Sequence, residues 1–173
     1  MMDLFNTENT VYVLDTSALI ALDYAYKRSN PMFEAVWEEL EDLLAQGRLK
    51  IIDFVDAEIG KYEGKEDFVK KWVDQHRKRL VVETDVASLA FAQAVINAEK
   101  DTGFLKAAKQ ARGEDEADPY LIGYAKQHAS IIVSPENPTK PNKLPQVASR
   151  HGVKCLSIED FLAERGLKMV RKK

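Results

Sequence analysis

Short apolar or β-branched runs that pass directly into capped helices recur along this chain, and no other feature narrows the fold as much. Val11-Tyr12-Val13-Leu14 leads through Asp15-Thr16-Ser17 into Ala18-Leu19-Ile20-Ala21-Leu22, which reads as a buried strand and then a helix with a hydroxyl cap from Thr16-Ser17. Leu49-Lys50-Ile51-Ile52, Leu80-Val81-Val82 and residues 130–133 and 153–156 supply four more strand segments. Between them lie helical patterns. After Asn30-Pro31, the residues Phe33, Val36, Trp37, Leu40, Leu43 and Leu44 recur at helical spacing until Gly47. Further helices are expected over 56–62, from Phe68 to His76, from a Thr84-Asp85 cap to Lys100, over 104–111, from Asp118 onward, over 144–151 and over 158–165 before Gly166. Five strands separated by helices call for a mostly parallel sheet with helices on both faces. The expected architecture is α/β, a single domain over residues 1–173, with the tail after about residue 167 read as flexible.

Composition removes several classes of function. Of 173 residues, 45% are hydrophobic and 31% charged, an ordinary globular balance. No apolar stretch approaches the ~18 residues of a membrane span, and the first eight residues lack the basic start and apolar run of a secretory leader. A cytoplasmic location with no membrane partner is expected. Cys155 is the only cysteine, so neither an intrachain disulfide nor a thiolate metal cage can form within one chain. It reads as a small hydrophobe in a strand. His76, His128 and His151 lack zinc-ligand spacing. Charge is unevenly spread: nine basic against three acidic residues from position 140 onward give +6, so the rest carries -9. An acidic body beside a basic end suits a site that holds cations in the one and meets phosphate with the other.

Four acids occupy the strand ends and helix starts of this pattern. Asp15 closes the first strand, Glu58 lies in the helix after the second, Asp118 opens the helix before the fourth and Glu136 follows the fourth. In open α/β sheets the carboxyl ends of parallel strands border the ligand crevice. Carboxylates gathered there repel one another unless a hard divalent cation such as Mg²⁺ or Mn²⁺ holds them. Each acid also has an ordinary reading: Asp118 before Pro119 as a helix cap, Asp15 as a turn residue, Glu58 as a complement to a helix dipole, Glu136 as a solvated loop residue. Asp56, two residues before Glu58, reads as a cap. It is the joint placement of all four that points to a metal-dependent phosphodiesterase. Cations for phosphate contact are expected at Lys140 and Lys143 in the proline-marked loop after Glu136, and at Arg112 before Asp118. Tyr120 and Tyr124, one helical turn apart, read as core packing before a base-stacking surface, and Trp37 and Trp72 as core.

At Val13-Leu14-Asp15-Thr16-Ser17, Asp56-Ala57-Glu58-Ile59, Ala117-Asp118-Pro119-Tyr120-Leu121-Ile122-Gly123-Tyr124-Ala125 and Ile131-Ile132-Val133-Ser134-Pro135-Glu136, the chain resembles the PIN-domain nucleases, and among them the VapC-like toxins and the DUF4411 group. Lys143-Leu144-Pro145-Gln146-Val147-Ala148 and Gly152-Val153-Lys154-Cys155-Leu156 resemble the DUF4411 ending. The likeness spans almost the whole chain. It implies a PIN-like fold and a Mg²⁺- or Mn²⁺-dependent endoribonuclease. Carried over by position, the metal-binding and catalytic acids are Asp15, Glu58, Asp118 and Glu136, the last standing where many members have aspartate. Ser17 and Ser134 match small hydroxyl positions near the substrate. The resemblance further implies an RNA substrate, a cognate antitoxin and a homodimer. A catalytically silent module that binds RNA or protein on the same scaffold is the alternative. A haloacid-dehalogenase-like phosphatase wants a second aspartate two residues after Asp15, and the chain has Ser17 there.

Overall fold

β1 (Tyr12–Leu14) lies at the centre of a five-stranded sheet, described together with the rest of residues 9–63, 68–106 and 116–167 in a computed structural model. It pairs in parallel with β2 (Leu49–Ile52) on one side, Tyr12 opposite Leu49, and with β4 (Ile131–Val133) on the other, Leu14 opposite Val133. β3 (Val81–Val82) extends the sheet beyond β2 and β5 (Cys155–Leu156) beyond β4, both parallel, so the spatial order is β3-β2-β1-β4-β5. Successive side chains of a strand point to opposite faces. Tyr12, Val13 and Leu14 are all buried, so both faces of the central strand are covered, as the unbroken apolar runs require.

The helices among the described residues are α1 (Thr16–Tyr24), α2 (Glu34–Ala45) after a 3₁₀ turn at Pro31–Phe33, α3 (Asp53–Gly60), α4 (Phe68–Leu80), α5 (Val86–Glu99), α6 (Ala117–Gln127), α7 (Leu144–Arg150) and α8 (Ile158–Glu164). None is long and apolar enough to cross a membrane. Trp37 and Trp72, both buried, meet edge to face at 5.7 Å and join α2 to α4. Their indole nitrogens donate to Tyr26 O and to Glu41 Oε1, which satisfies the polar end of each ring.

Three local expectations are corrected. α1 is capped by Asp15, whose carboxylate accepts the Ala18 amide, rather than by a Thr16 or Ser17 hydroxyl. The third helix starts at Asp53, so Asp56 lies within its first turn and pairs with Arg77 of α4 instead of capping. Asp53 itself accepts from Thr84, ahead of α5, through both the amide and the hydroxyl. Residues 104–106 are not helical. The remainder of the helix expected over 104–111, with Arg112 and the tail after residue 167, lies outside the described residues.

α6 is set against α5 by one small residue. A Cβ on Gly123 would fall 2.3 Å from Ser88 O and 3.0 Å from Ala92 N, closer than packed atoms approach, so the two helix backbones meet at this glycine. Gly123→Ala is therefore expected to push α6 away and destabilise the fold by about 1–3 kcal/mol, measured as a lowered chemical-denaturation midpoint at unchanged slope.

Candidate active site

The parallel sheet presents the carboxyl ends of β1 and β4 side by side, and the turns that follow them carry the acids. Asp15 leaves β1 with extended backbone and its amide donates to Val133 O at 3.2 Å. Oδ1 accepts the Ala18 amide at 2.5 Å and Oδ2 accepts Ser134 Oγ at 2.6 Å. The residue is only 2% exposed. Burial raises its pKa to about 8 and the charges of Asp118 and Glu136 push the same way, while the hydrogen bonds from Ser134 and Ala18 oppose them.

Glu58 projects from α3 and links two helix starts. Oε2 accepts Thr16 Oγ1 of α1 at 2.5 Å, and Oε1 accepts the amide of Ala117, the first residue of α6, at 3.3 Å. A carboxylate at that position complements the positive end of α6. Asp118 follows in the same first turn. It was expected to cap this helix, but α6 begins one residue earlier and no donor among the described residues reaches the Asp118 carboxylate. Burial raises its pKa to about 7, helped by Glu136, Glu58 and Glu116 and opposed by Lys106.

Glu136 lies just past β4. Oε1 accepts from Lys143 Nζ at 3.1 Å and Oε2 from the Leu144 amide at 2.9 Å, so it is no solvated loop residue. Asp15, Glu58, Asp118 and Glu136 thus share one end of the sheet, and two of them, Glu58 and Glu136, act on Asp118 together with Glu116. Among the described residues, no three acid, histidine or cysteine side chains converge into a ready-made metal cage. The donor chemistry still fits a hard cation: acceptor-only oxygens, one carboxylate that no donor among the described residues reaches, and two protonation equilibria displaced upward by burial and, after it, by neighbouring negative charge.

The other expected site residues separate. Ser134 is fully buried and orients Asp15. Ser17 is exposed, and its neighbour Thr16 makes the bond to Glu58 instead. Lys140 is exposed and Lys143 is paired with Glu136. Tyr120 stacks on Phe54 at 3.8 Å and Tyr124 on His128 at 4.2 Å, so the two tyrosines face different partners and form no shared stacking surface. Sequence reasoning missed Glu116, which is buried and accepts the Lys106 amide at 2.7 Å. It stands in a polar run that reads as loop, and the only signal was its place two residues before Asp118.

A parallel sheet ordered in this way and flanked by helices has the α/β fold of PIN-type domains. The chain belongs to the DUF4411 family, whose model, described as a domain of unknown function, matches residues 12–169. Solved structures of the same fold include DNA-bound VapBC from Salmonella typhimurium, at 15% identity over 86% of this chain and 98% of that one with a TM-score of 0.54. VapBC2 from Rickettsia felis, bound to a promoter DNA fragment, aligns at 12% identity over 86% and 98% with a TM-score of 0.52. FitAcB from Neisseria gonorrhoeae aligns at 16% over 84% and 96%, also at 0.52. At these identities the likeness is one of fold. No curated protein matches the chain.

The upward shift of Asp118 fixes the sign of a pH effect. Its folded-state pKa of about 7 lies above the ordinary aspartate range, so the folded protein binds the proton more tightly than the unfolded chain, and stability from this group is lost as pH rises from about 4 through 7. In chelator, Asp118→Asn is expected to gain thermal stability relative to the parent protein between pH 5 and pH 8.5. Scanning calorimetry at both pH values checks this, and a difference that does not grow with pH contradicts the assignment.

Proposed function

We propose that this protein is a divalent-metal-dependent endoribonuclease that hydrolyses RNA phosphodiester bonds and serves as the toxin of a toxin–antitoxin pair. The observation that carries the reading is the gathering of Asp15, Glu58 and Asp118 at the carboxyl end of the central strand, with Asp118 surrounded by acids and met by no donor among the described residues. Those three carboxylates are the proposed ligands of Mg²⁺ or Mn²⁺. A cation bound there supplies Lewis-acid chemistry: it polarises the scissile phosphate, makes a water more acidic and offsets charge on the leaving oxygen.

The chain's own groups supply the geometry. Ser134 and the Ala18 amide hold Asp15 in one orientation, and Thr16 with the Ala117 amide holds Glu58. Asp118, which no donor among the described residues reaches in the first turn of α6, keeps both carboxylate oxygens available to a cation. Lys140, exposed beyond Glu136, Arg112, outside the described residues, and Ser17 are proposed substrate contacts. The VapBC and FitAcB structures have the same fold, which supports an antitoxin partner and, with it, a homodimer acting in the cytoplasm.

One observation favours a second reading. Glu136, at the position where the PIN-domain resemblance implies aspartate in many members, is ion-paired with Lys143, as suits a silent RNA- or protein-binding module. The two readings part on metal: a silent module shows no Mn²⁺-dependent rise in unfolding temperature and no cleavage. In the nuclease reading, purified protein cuts mixed RNAs only with Mg²⁺ or Mn²⁺, and Asp118→Asn lowers the rate by about 100-fold or more with an unchanged circular dichroism spectrum. Undiminished turnover by that variant would falsify the assignment.

A further inference from the structure

Glu136 occupies the position of a fourth metal-binding acid, yet its surroundings are those of a loop clamp. One oxygen faces the Lys143 ammonium at 3.1 Å and the other the amide of Leu144, first residue of α7, at 2.9 Å. Its own amide donates at 3.2 Å to Ser134 Oγ, the same hydroxyl that donates to Asp15. The residues between Glu136 and Lys143 are fastened independently: Gln146 Nε2 donates to Pro138 O at 2.6 Å and Arg150 Nη1 to Pro141 O at 2.7 Å. Arg150 is in turn held by the buried Glu99 at 2.7 Å. The loop therefore returns Lys143 to Glu136 along a braced path. Asp15 and Glu58 also accept hydrogen bonds on both oxygens, and a carboxylate has lone pairs left for a metal; what sets Glu136 apart is the ammonium at 3.1 Å, which a cation on the same carboxylate would have to displace or repel.

We propose that Glu136 is a positioning residue and not a metal ligand: it holds Lys143 beside the acidic cleft, where the ammonium meets an RNA phosphate, and leaves metal binding to Asp15, Glu58 and Asp118. This rests on the nuclease reading. The chemistry allows the double role, because an ammonium has three donors and bridges a carboxylate and a phosphate at once. Glutamate is also the longer acid, and its extra methylene carries the carboxylate to the loop that aspartate would leave unclamped. The pair adds no net charge at the rim, which leaves the cation to three carboxylates instead of four.

Calorimetric titration of the full chain with Mn²⁺ tests the ligand set. Glu136→Gln/Lys143→Met removes both charges of the pair and is expected to bind Mn²⁺ within about threefold of the parent protein, while Asp118→Asn weakens binding by about tenfold or more. A loss in the double variant as large as that in Asp118→Asn overturns the proposal. A parent protein that takes up no Mn²⁺ overturns the nuclease reading, and this inference falls with it. Steady-state cleavage tests the positioning: Lys143→Met and Glu136→Ala are each expected to raise KM for RNA about fivefold with kcat within about twofold, with Glu136→Gln, which keeps one acceptor, in between. A lowered kcat at unchanged KM in Glu136→Ala overturns it. In chelator, Glu136→Ala is expected to unfold at a lower temperature than the parent, because a clamp is lost, whereas deleting a ligand from a cluster of repelling acids raises the midpoint. A raised midpoint overturns the proposal, and Glu136→Gln carries the same comparison if Glu136→Ala does not fold.

Discussion

A carboxylate buried at the end of the central strand is the constraint around which this protein is organised. Asp15 joins β1 to α1 by accepting the Ala18 amide, and joins β1 to the turn after β4 by accepting the Ser134 hydroxyl. Those bonds make burial tolerable without making it favourable, since the charged form remains so disfavoured that its pKa rises to about 8. A helix cap at the surface behaves otherwise, as Asp85 shows. That residue is exposed, caps α5 through the Ser88 amide, meets His128, and is lowered to about 2, chiefly by the Ser88 bond. The difference between the two caps begins with burial, which raises Asp15, and the acids around Asp15 and the imidazole beside Asp85 add to it.

Much of the fold was legible because its signals are local. Each strand is a short apolar run, and parallel strands covered on both faces need no alternation, so β1, β2 and β4 stand out directly. Helix ends were equally plain at Gly47 and Gly166, both of which adopt the positive φ that lets a chain leave a helix. Starts were harder to read. Thr16-Ser17, Asp56 and Asp118 all belong to residue types that cap helices, yet α1 uses Asp15, α3 begins at Asp53 and α6 begins at Ala117 with no side-chain cap. Capping depends on one backbone turn of residue placement, and several adjacent polar residues satisfy the same composition rule.

The site was legible in its acids and not in their partners. Which strand ends lie together follows from a parallel sheet, so Asp15 and Glu136 could be placed at one edge from order alone. That Glu58 accepts from both Thr16 and Ala117, or that Glu136 turns to Lys143, depends on side-chain paths across 42, 59 and 7 residues of sequence. No periodicity records such distances. Glu116 was missed for the same reason: its role is set by an amide ten residues earlier, not by its own neighbours.

What distinguishes Asp118 from the other acids of this highly charged chain is how it is answered. Elsewhere they meet donors: Asp23 accepts the Val69 amide, Asp56 pairs with Arg77, Glu99 with Arg150 and His151, Glu39 with Arg165 and Glu164 with Lys154. Such pairs lie between elements and serve to fix them, and an acid with a matched cation gains nothing from a metal. Asp118 is the contrast, a partly buried carboxylate among Glu136, Glu58 and Glu116, with the Lys106 charge as the opposing influence. An arrangement of that kind lowers stability at neutral pH, and the fold retains it beside an Asp15 that is destabilised in the same way. Two carboxylates held above their ordinary pKa by burial first and by surrounding acids second are a poor design for a scaffold and a good one for a cation. The same reasoning separates Glu136 from Asp118, for its negative charge is already answered by Lys143 and its other oxygen by the start of α7.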